Sequence, residues 1–233
     1  MPKYVVEFGK SPGEPDDSDR RDAPAFHRNH APIWAVLSGF LNGKSGDVLE
    51  LGSGTGQHVV EFARQSPAIT WWPSDQPDNN LRSIAAWRAQ AGLANVRAPT
   101  RIDLMDHAQP WTTPGLPEQF LAIFCANVIH IAPWPVALGL FALAGKRLSP
   151  DGRLFLYGPF KREGRHTAPS NADFDASLRA RDSDWGVRDI ADVTAAAGAQ
   201  GLHLIDTIAM PANNMMLVFA LCGKQVAAVA ETS

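Results

Sequence analysis

Three glycines at alternate positions, Gly52, Gly54 and Gly56, stand in the run Val48-Leu-Glu-Leu-Gly-Ser-Gly-Thr-Gly56. Glycine lets a backbone turn tightly and come close to a ligand. The run begins like a buried strand and opens into a helix, whose first N–H groups lack helical partners and can meet a polar or negative group. A dinucleotide fingerprint spaces its glycines Gly-x-Gly-x-x-Gly. Counted from Gly52, its third glycine falls on Gln57, so the spacing argues against a nicotinamide dehydrogenase. Glu50, just ahead of the loop, argues the same way. A carboxylate there disfavours a pyrophosphate and suits a cationic sulfonium or ammonium group. Ser53, Gln57 and His58 share the loop and its helix start and join it as ligand-binding candidates.

The acidic partners follow at the ends of the next two strands. Asp75 lies 19 positions after Gly56, about the separation at which an acidic residue meets a ribose in nucleotide-binding α/β folds. A vicinal diol offers two donors and a carboxylate accepts both. Asp103 is the candidate acceptor for an adenine amino group, and the Leu104 N–H is the candidate donor to a ring nitrogen. Asn127 and His130 fall after the fourth strand, at the carboxyl edge where such sheets bind ligands.

If the reaction at this edge needs a base, three side chains are candidates: His130, Tyr157 and Lys161. His130 has the intrinsic pKa nearest neutrality, whereas Lys161 and Arg162 suit an anionic substrate. The remaining polar motifs read as a cap. Arg28 and Asn29 precede the first helical stripe, and Arg28 is the candidate partner of a ligand carboxylate through a bidentate pair. Asn171, Trp185, Arg188, Asn213 and Asn214 are the substrate-side candidates, although Asn and Asp also favour caps and turns for local reasons. The tryptophans Trp71, Trp72, Trp87, Trp111 and Trp134 read as core, and Trp185 as a pocket wall.

The elements that must hold these residues alternate. Strands are expected at 47–51, 68–72, 96–102, 119–126 and 153–157, with a closing pair at 202–209 and 215–221. Helices are expected at 33–41 with Pro32 first, 56–64, 81–91, 134–148, 174–181 and 187–197. Ser170 with Asp173 resembles a capping pair ahead of Phe174. Strand–helix alternation implies a parallel sheet covered on both faces. The reading is an α/β, Rossmann-like, seven-stranded, mostly parallel sheet with a C-terminal antiparallel hairpin. It divides the chain into an irregular arm (1–25), one domain (26–224) and a loose tail (225–233).

Composition bounds the partners. The 233 residues are 45% hydrophobic with a formal net charge of −3. That balance argues against a nucleic-acid-binding surface, which needs clustered Lys and Arg, and leaves a small-molecule substrate as the expected partner. No Cys-x-x-Cys or His-x-x-x-His spacing suggests a metal site, so none is expected. Cys125 and Cys222 both lie in apolar runs and read as buried thiols. No apolar stretch approaches the ~20 residues of a membrane span, and the N-terminus lacks a signal-peptide order. The cytoplasm is the default, and the oligomeric state is not legible.

Beyond these single features, the chain resembles the methyltransferase-like 26 family, also called domain of unknown function 938. The likeness runs from Ala25 to Phe219. It is carried by His27-Arg-Asn29 with Pro32-Ile33, Leu49–His58, Trp72-Pro-Ser-Asp75, Ala126–Pro133, Tyr157–Lys161, Ser170–Asp175, Trp185–Asp189 and Met210–Asn214. The resemblance implies a class I methyltransferase fold using S-adenosylmethionine, and it brings no substrate. A small-molecule acceptor is the preferred expectation. A protein or RNA methyltransferase would predict a basic groove and Asn-Pro-Pro-Tyr after strand four, where Asn127-Val-Ile-His130 stands. A non-catalytic scaffold would not need Gly52, Gly54, Gly56 and Asp75 intact.

Overall fold

Runs of β-branched and aromatic residues bounded by turns form the strands, and apolar stripes at helical spacing cover them. A computed structural model describes residues 19–106 and 115–222. In chain order the elements are α1 (Pro24–Leu41), β1 (Gly46–Leu51), α2 (Gln57–Gln65), β2 (Ile69–Asp75), α3 (Asp78–Ala91), β3 (Thr100–Arg101), β4 (Phe120–Ala126), α4 (Trp134–Arg147), β5 (Leu148–Gly158), β6 (Phe160–Arg162), β7 (Arg165–His166), α5 (Pro169–Arg181), β8 (Arg188–Asp189), α6 (Ile190–Gly198), β9 (Leu202–Met210) and β10 (Asn214–Leu221).

The main sheet has seven strands in the order β3-β2-β1-β4-β5-β10-β9. Strands β1 to β5 pair in parallel, and β10 runs antiparallel to both β5 and β9. The order reverses between β1 and β4, so a crevice opens at the carboxyl ends of those strands. Alternation along each buried strand feeds two cores. Leu49, Leu51, Ile123, Leu154 and Leu156 pack with Phe141 of α4 and Val193 of α6. Val48, Phe124 and Phe155 pack on the other face with Ile33 and Leu37 of α1 and Phe62 of α2. Trp71 is fully buried in that second core, while Trp72, Trp87 and Trp134 are partly buried. Trp111 lies outside the described residues, as do residues 1–18 of the expected arm and the expected tail. Among the described residues no helix is long and apolar enough to cross a membrane.

Several boundaries differ from expectation, each for a local reason. The first helix starts at Pro24, so Pro24 takes the favoured first position and Pro32 lies inside the helix. The expected strand at 96–102 shrinks to two residues with one bridge at Val96, because Pro99 has no N–H for a ladder. Helix α5 starts at Pro169 with no side-chain cap; the Ser170 hydroxyl instead accepts from Asn213 Nδ2 at 3.2 Å. The expected helix at 187–197 begins as strand β8, and the Asp189 carboxylate caps α6 through the Ala191 N–H at 2.8 Å. A small three-stranded sheet, β7-β6-β8, was not expected, since strands of two or three residues carry no period. Cys125 is buried, but Cys222 is exposed past the end of β10.

Candidate cofactor and active site

The glycine loop bridges β1 and α2 across the carboxyl edge of the sheet, and two of its glycines are sterically obligatory. Gly52 has φ +70°, and a Cβ there would lie 2.3 Å from Val128 Cγ2. Gly56 has φ +90°, and a Cβ would lie 2.8 Å from the Ile84 backbone. The loop is stapled to β2 by Ser53 N–H to the Ser74 carbonyl at 2.8 Å and by the Ser74 hydroxyl to the Glu50 carbonyl at 2.7 Å. Asp75 binds the loop directly. Its Oδ2 accepts the Gly54 N–H at 2.7 Å and its Oδ1 the Gln76 N–H at 2.8 Å.

A cavity opens beneath this loop, with about 1040 Å³ of empty space including the part open to solvent. Glu50, Gly52, Ser53, Gly54 and Asp75 line it, as do Asn29, His58, Leu104 and Asn127. The structure thus brings nine of the expected cofactor-binding residues to one cavity. Four others are placed elsewhere. Gly56 packs against α3, and Arg28 is exposed on α1. Asp103 accepts the Met105 N–H at 2.9 Å. The Gln57 side chain reaches the segment ahead of α1, binding the Ala23 N–H at 2.8 Å.

Among the described residues, the cavity holds one buried carboxyl oxygen without a partner. Glu50 is 2% exposed, and its Oε2 has no hydrogen-bond partner. Burial pushes its carboxyl up to about 8, against a hydrogen bond from Ser53 and with help from the Asp75 charge. Burial also raises Asp75, partly offset by the Gly54 and Gln76 N–H groups. An unpartnered buried carboxyl is costly unless a ligand satisfies it, and a neighbouring cation would ionise it.

One imidazole faces this cavity among the described residues. His58 Nε2 lies 2.8 Å from Asn29 Oδ1. An amide oxygen only accepts, so Nε2 carries the proton and Nδ1 keeps a lone pair. Burial, with the charge of His30, lowers its pKa to about 3, so the ring is neutral.

The three expected catalytic groups do not line the cavity. His130 is fully buried and meets Phe160 edge-on at 5.0 Å, and burial with the Arg188 charge lowers it to about 3. Tyr157 is 3% exposed. Burial raises its phenol, offset by the Asn29 and Asn214 amides beside it and the Arg28 charge. Lys161 Nζ binds Asp175 Oδ2 at 3.0 Å within an ion cluster that also holds His166 and Arg179. Burial raises the Asp175 carboxyl, but Lys161, the Val187 N–H and Arg179 together hold it below its ordinary range.

The expected substrate-side residues brace the walls instead. Arg188 donates to the Ile129 carbonyl at 2.9 Å and to the Ala132 and Asp184 carbonyls at 2.7 Å. Trp185 is 6% exposed and does not line the cavity. Asn171 Nδ2 donates to the Asn213 carbonyl at 3.0 Å, and Asn214 Nδ2 to the Pro211 carbonyl at 3.2 Å. Conversely, Ala23, Ala25 and Phe26 line the cavity though reading the sequence missed them. The signal was Pro24, a first-position proline ahead of Ala25-Phe26.

The strand order, the single reversed strand and the glycine loop at the order switch define the Rossmann-like fold of class I methyltransferases. The chain belongs to the family described as a protein of unknown function, DUF938, whose model matches residues 20–221. Among solved structures it is similar to an O-methyltransferase family protein from Burkholderia thailandensis, at 16% identity and TM-score 0.71, over 84% of this chain and 57% of that one. It is also similar to an O-methyltransferase family 2 protein from Planctomyces limnophilus in complex with apigenin, at 20% identity and TM-score 0.67, over 82% of this chain and 56% of that one. A third, the S-adenosylhomocysteine-bound methyltransferase CalO1 of calicheamicin biosynthesis, matches at 14% identity and TM-score 0.65, over 83% and 54%. The chain spans a little over half the length of each.

Proposed function

We propose that the protein is an S-adenosylmethionine-dependent methyltransferase that acts on a small-molecule acceptor. The observation that carries this is the buried Glu50 carboxyl, whose Oε2 has no partner, in the same glycine-looped cavity as Asp75. Those residues fit the cofactor. Glu50 suits its ammonium or sulfonium charge, Asp75 its ribose hydroxyls, and the apolar walls at Ile102, Leu104 and Pro77 its adenine. When bound, S-adenosylmethionine supplies an electrophilic methyl group on a sulfonium whose departure as a neutral thioether needs no acid.

The chain's own part is to orient the acceptor and exclude water. His58, neutral and fixed by Asn29, holds the acceptor's proton-bearing heteroatom through its Nδ1 lone pair. Asn127 at the end of β4 supplies an amide on the same cavity. Ala23, Ala25 and Phe26 roof the site, which favours a small acceptor over a polymer. The crystallised neighbours support the reading, one by its bound S-adenosylhomocysteine and another by its apigenin. Titration calorimetry with S-adenosylmethionine, S-adenosylhomocysteine and NAD tests it. The first two should bind, and NAD more weakly or not at all. Tighter binding of NAD than of S-adenosylhomocysteine would overturn it.

A further inference from the structure

Gln57 stands first in α2, one residue past the glycine loop, yet its side chain does not line the cofactor cavity. One amide makes three hydrogen bonds. Its Oε1 accepts the Thr55 hydroxyl at 2.9 Å and the Ala23 N–H at 2.8 Å, and its Nε2 donates to Asp22 Oδ1 at 2.7 Å. Thr55 belongs to the ligand loop, whereas Asp22 and Ala23 belong to the segment ahead of α1. That segment has a second tether on α3. The Arg21 N–H reaches the Ser83 hydroxyl and its guanidinium reaches Asn80 Oδ1, both at 3.0 Å. Trp87 Nε1 donates to the Arg21 carbonyl at 2.9 Å. Ser83 in turn donates to the Thr55 carbonyl at 2.8 Å. Both tethers therefore end on the loop residue Thr55. Immediately past them, Ala23, Ala25 and Phe26 line the cavity that Asp75, Pro77 and Asn80 also line.

We propose, resting on the cofactor reading above, that Gln57 is a positioning residue that latches residues 21–26 as a strap across the cofactor cavity, and that cofactor passes only when this latch opens. Three features argue for a strap that opens rather than a fixed wall. It is held by hydrogen bonds to side chains, which water can replace. Its inward face carries two alanines and a single large ring. Its first three residues, Arg21–Ala23, precede α1, which begins at Pro24, so the strap can lift with the fraying of only the first helical turn. A ligand that fills the cavity gains contact with the strap only in the latched state and therefore favours that state.

The test uses the full chain and S-adenosylhomocysteine, with release followed by stopped-flow tryptophan fluorescence. Gln57→Ala removes three hydrogen bonds and should release ligand at least about tenfold faster. Association should quicken as well, so the dissociation constant moves less than the release rate. A side chain with only a structural role would lower the thermal midpoint and leave that split unmoved. Gln57→Glu alone sets two carboxylates against each other and should also speed release. Combined with Asp22→Asn it reverses donor and acceptor, keeps the acceptor for Ala23, and should restore slow release. Hydrogen exchange on the unmodified protein gives a second readout: residues 21–26 should gain protection with ligand. Unchanged release in a folded Gln57→Ala protein, failure of the paired variant to restore it, or no gain of protection overturns the strap. If the unmodified protein does not bind S-adenosylhomocysteine at all, the cofactor reading fails first and the strap with it.

Discussion

Binding a cationic ligand beside Glu50 should expel a proton. In the free protein this carboxyl is held up to about 8 by burial and by the charge of Asp75. At pH 7 it is therefore about nine-tenths protonated, since one unit below a pKa is a tenfold ratio. An ammonium or sulfonium next to the unpartnered Oε2 favours the ionised form. Calorimetry of S-adenosylmethionine, which carries both charges, in buffers of different ionisation enthalpy should then report close to one proton released per ligand at pH 7. Affinity should rise about tenfold per pH unit between pH 6 and 7 and level off above about 8. Glu50→Gln keeps the shape, releases no proton and flattens the profile. A wild-type protein that releases no proton and binds equally from pH 6 to 8 would refute the reasoning.

The same group fixes the sign of a stability slope in the free protein. Unfolded, Glu50 ionises near the ordinary glutamate value of 4.5, whereas folded it keeps its proton to about 8. Between those values the folded state binds more protons, so stability falls as pH rises, by up to about 1.4 kcal/mol per unit from this group. Glu50→Gln should remove that slope and leave the ligand-free protein more stable than wild type at pH 8. Ligand binding and folding thus pull on one carboxyl in opposite directions.

Two further outcomes follow from the loop. Asp75→Ala should weaken S-adenosylhomocysteine by roughly 1.5–3 kcal/mol, the range for hydrogen bonds to charged groups. It should stay folded by circular dichroism, and an unchanged affinity would leave Asp75 as a loop staple to Gly54 alone. Gly56→Ala should cost about 1–3 kcal/mol of stability in denaturant melts, because it adds a Cβ at φ +90° against the Ile84 backbone; a melt matching wild type would show that α3 yields easily.

What was legible in the sequence was whatever rests on spacing. The alternation of strands and helices gave the sheet, and Gly52, Gly54, Glu50 and Asp75 marked the cavity because the strand–loop–helix turn constrains type and position together, while Gly56 marked the packing of that turn on α3. The short sheet β7-β6-β8 was invisible because it has no period. His130 misled because a titratable residue at a strand end looks alike whether its ring faces ligand or core. Here Gly158 leaves room for it: a Cβ there would lie 2.3 Å from His130 Nε2, so the ring turns inward. His58 carried no such label, sitting on a helix behind a loop that already had a role.

The polar motifs read as a substrate cap share a physical function that composition cannot separate from ligand binding. The chain after β4 turns through Asn127, whose φ is +61°, into a single helical turn that leaves carbonyls unpaired. Arg188, from β8, satisfies two of them, those of Ile129 and Ala132, and lies over Trp134 at 5.5 Å. Val128, Ile131 and Ala132 of that same turn line the cavity. A guanidinium on backbone carbonyls and a guanidinium on a ligand carboxylate demand the same residue type in the same kind of loop. What tells them apart is which acceptor the fold leaves without a partner. For Arg188 those acceptors belong to the chain itself, so its influence on a bound ligand passes through the position of the β4 turn.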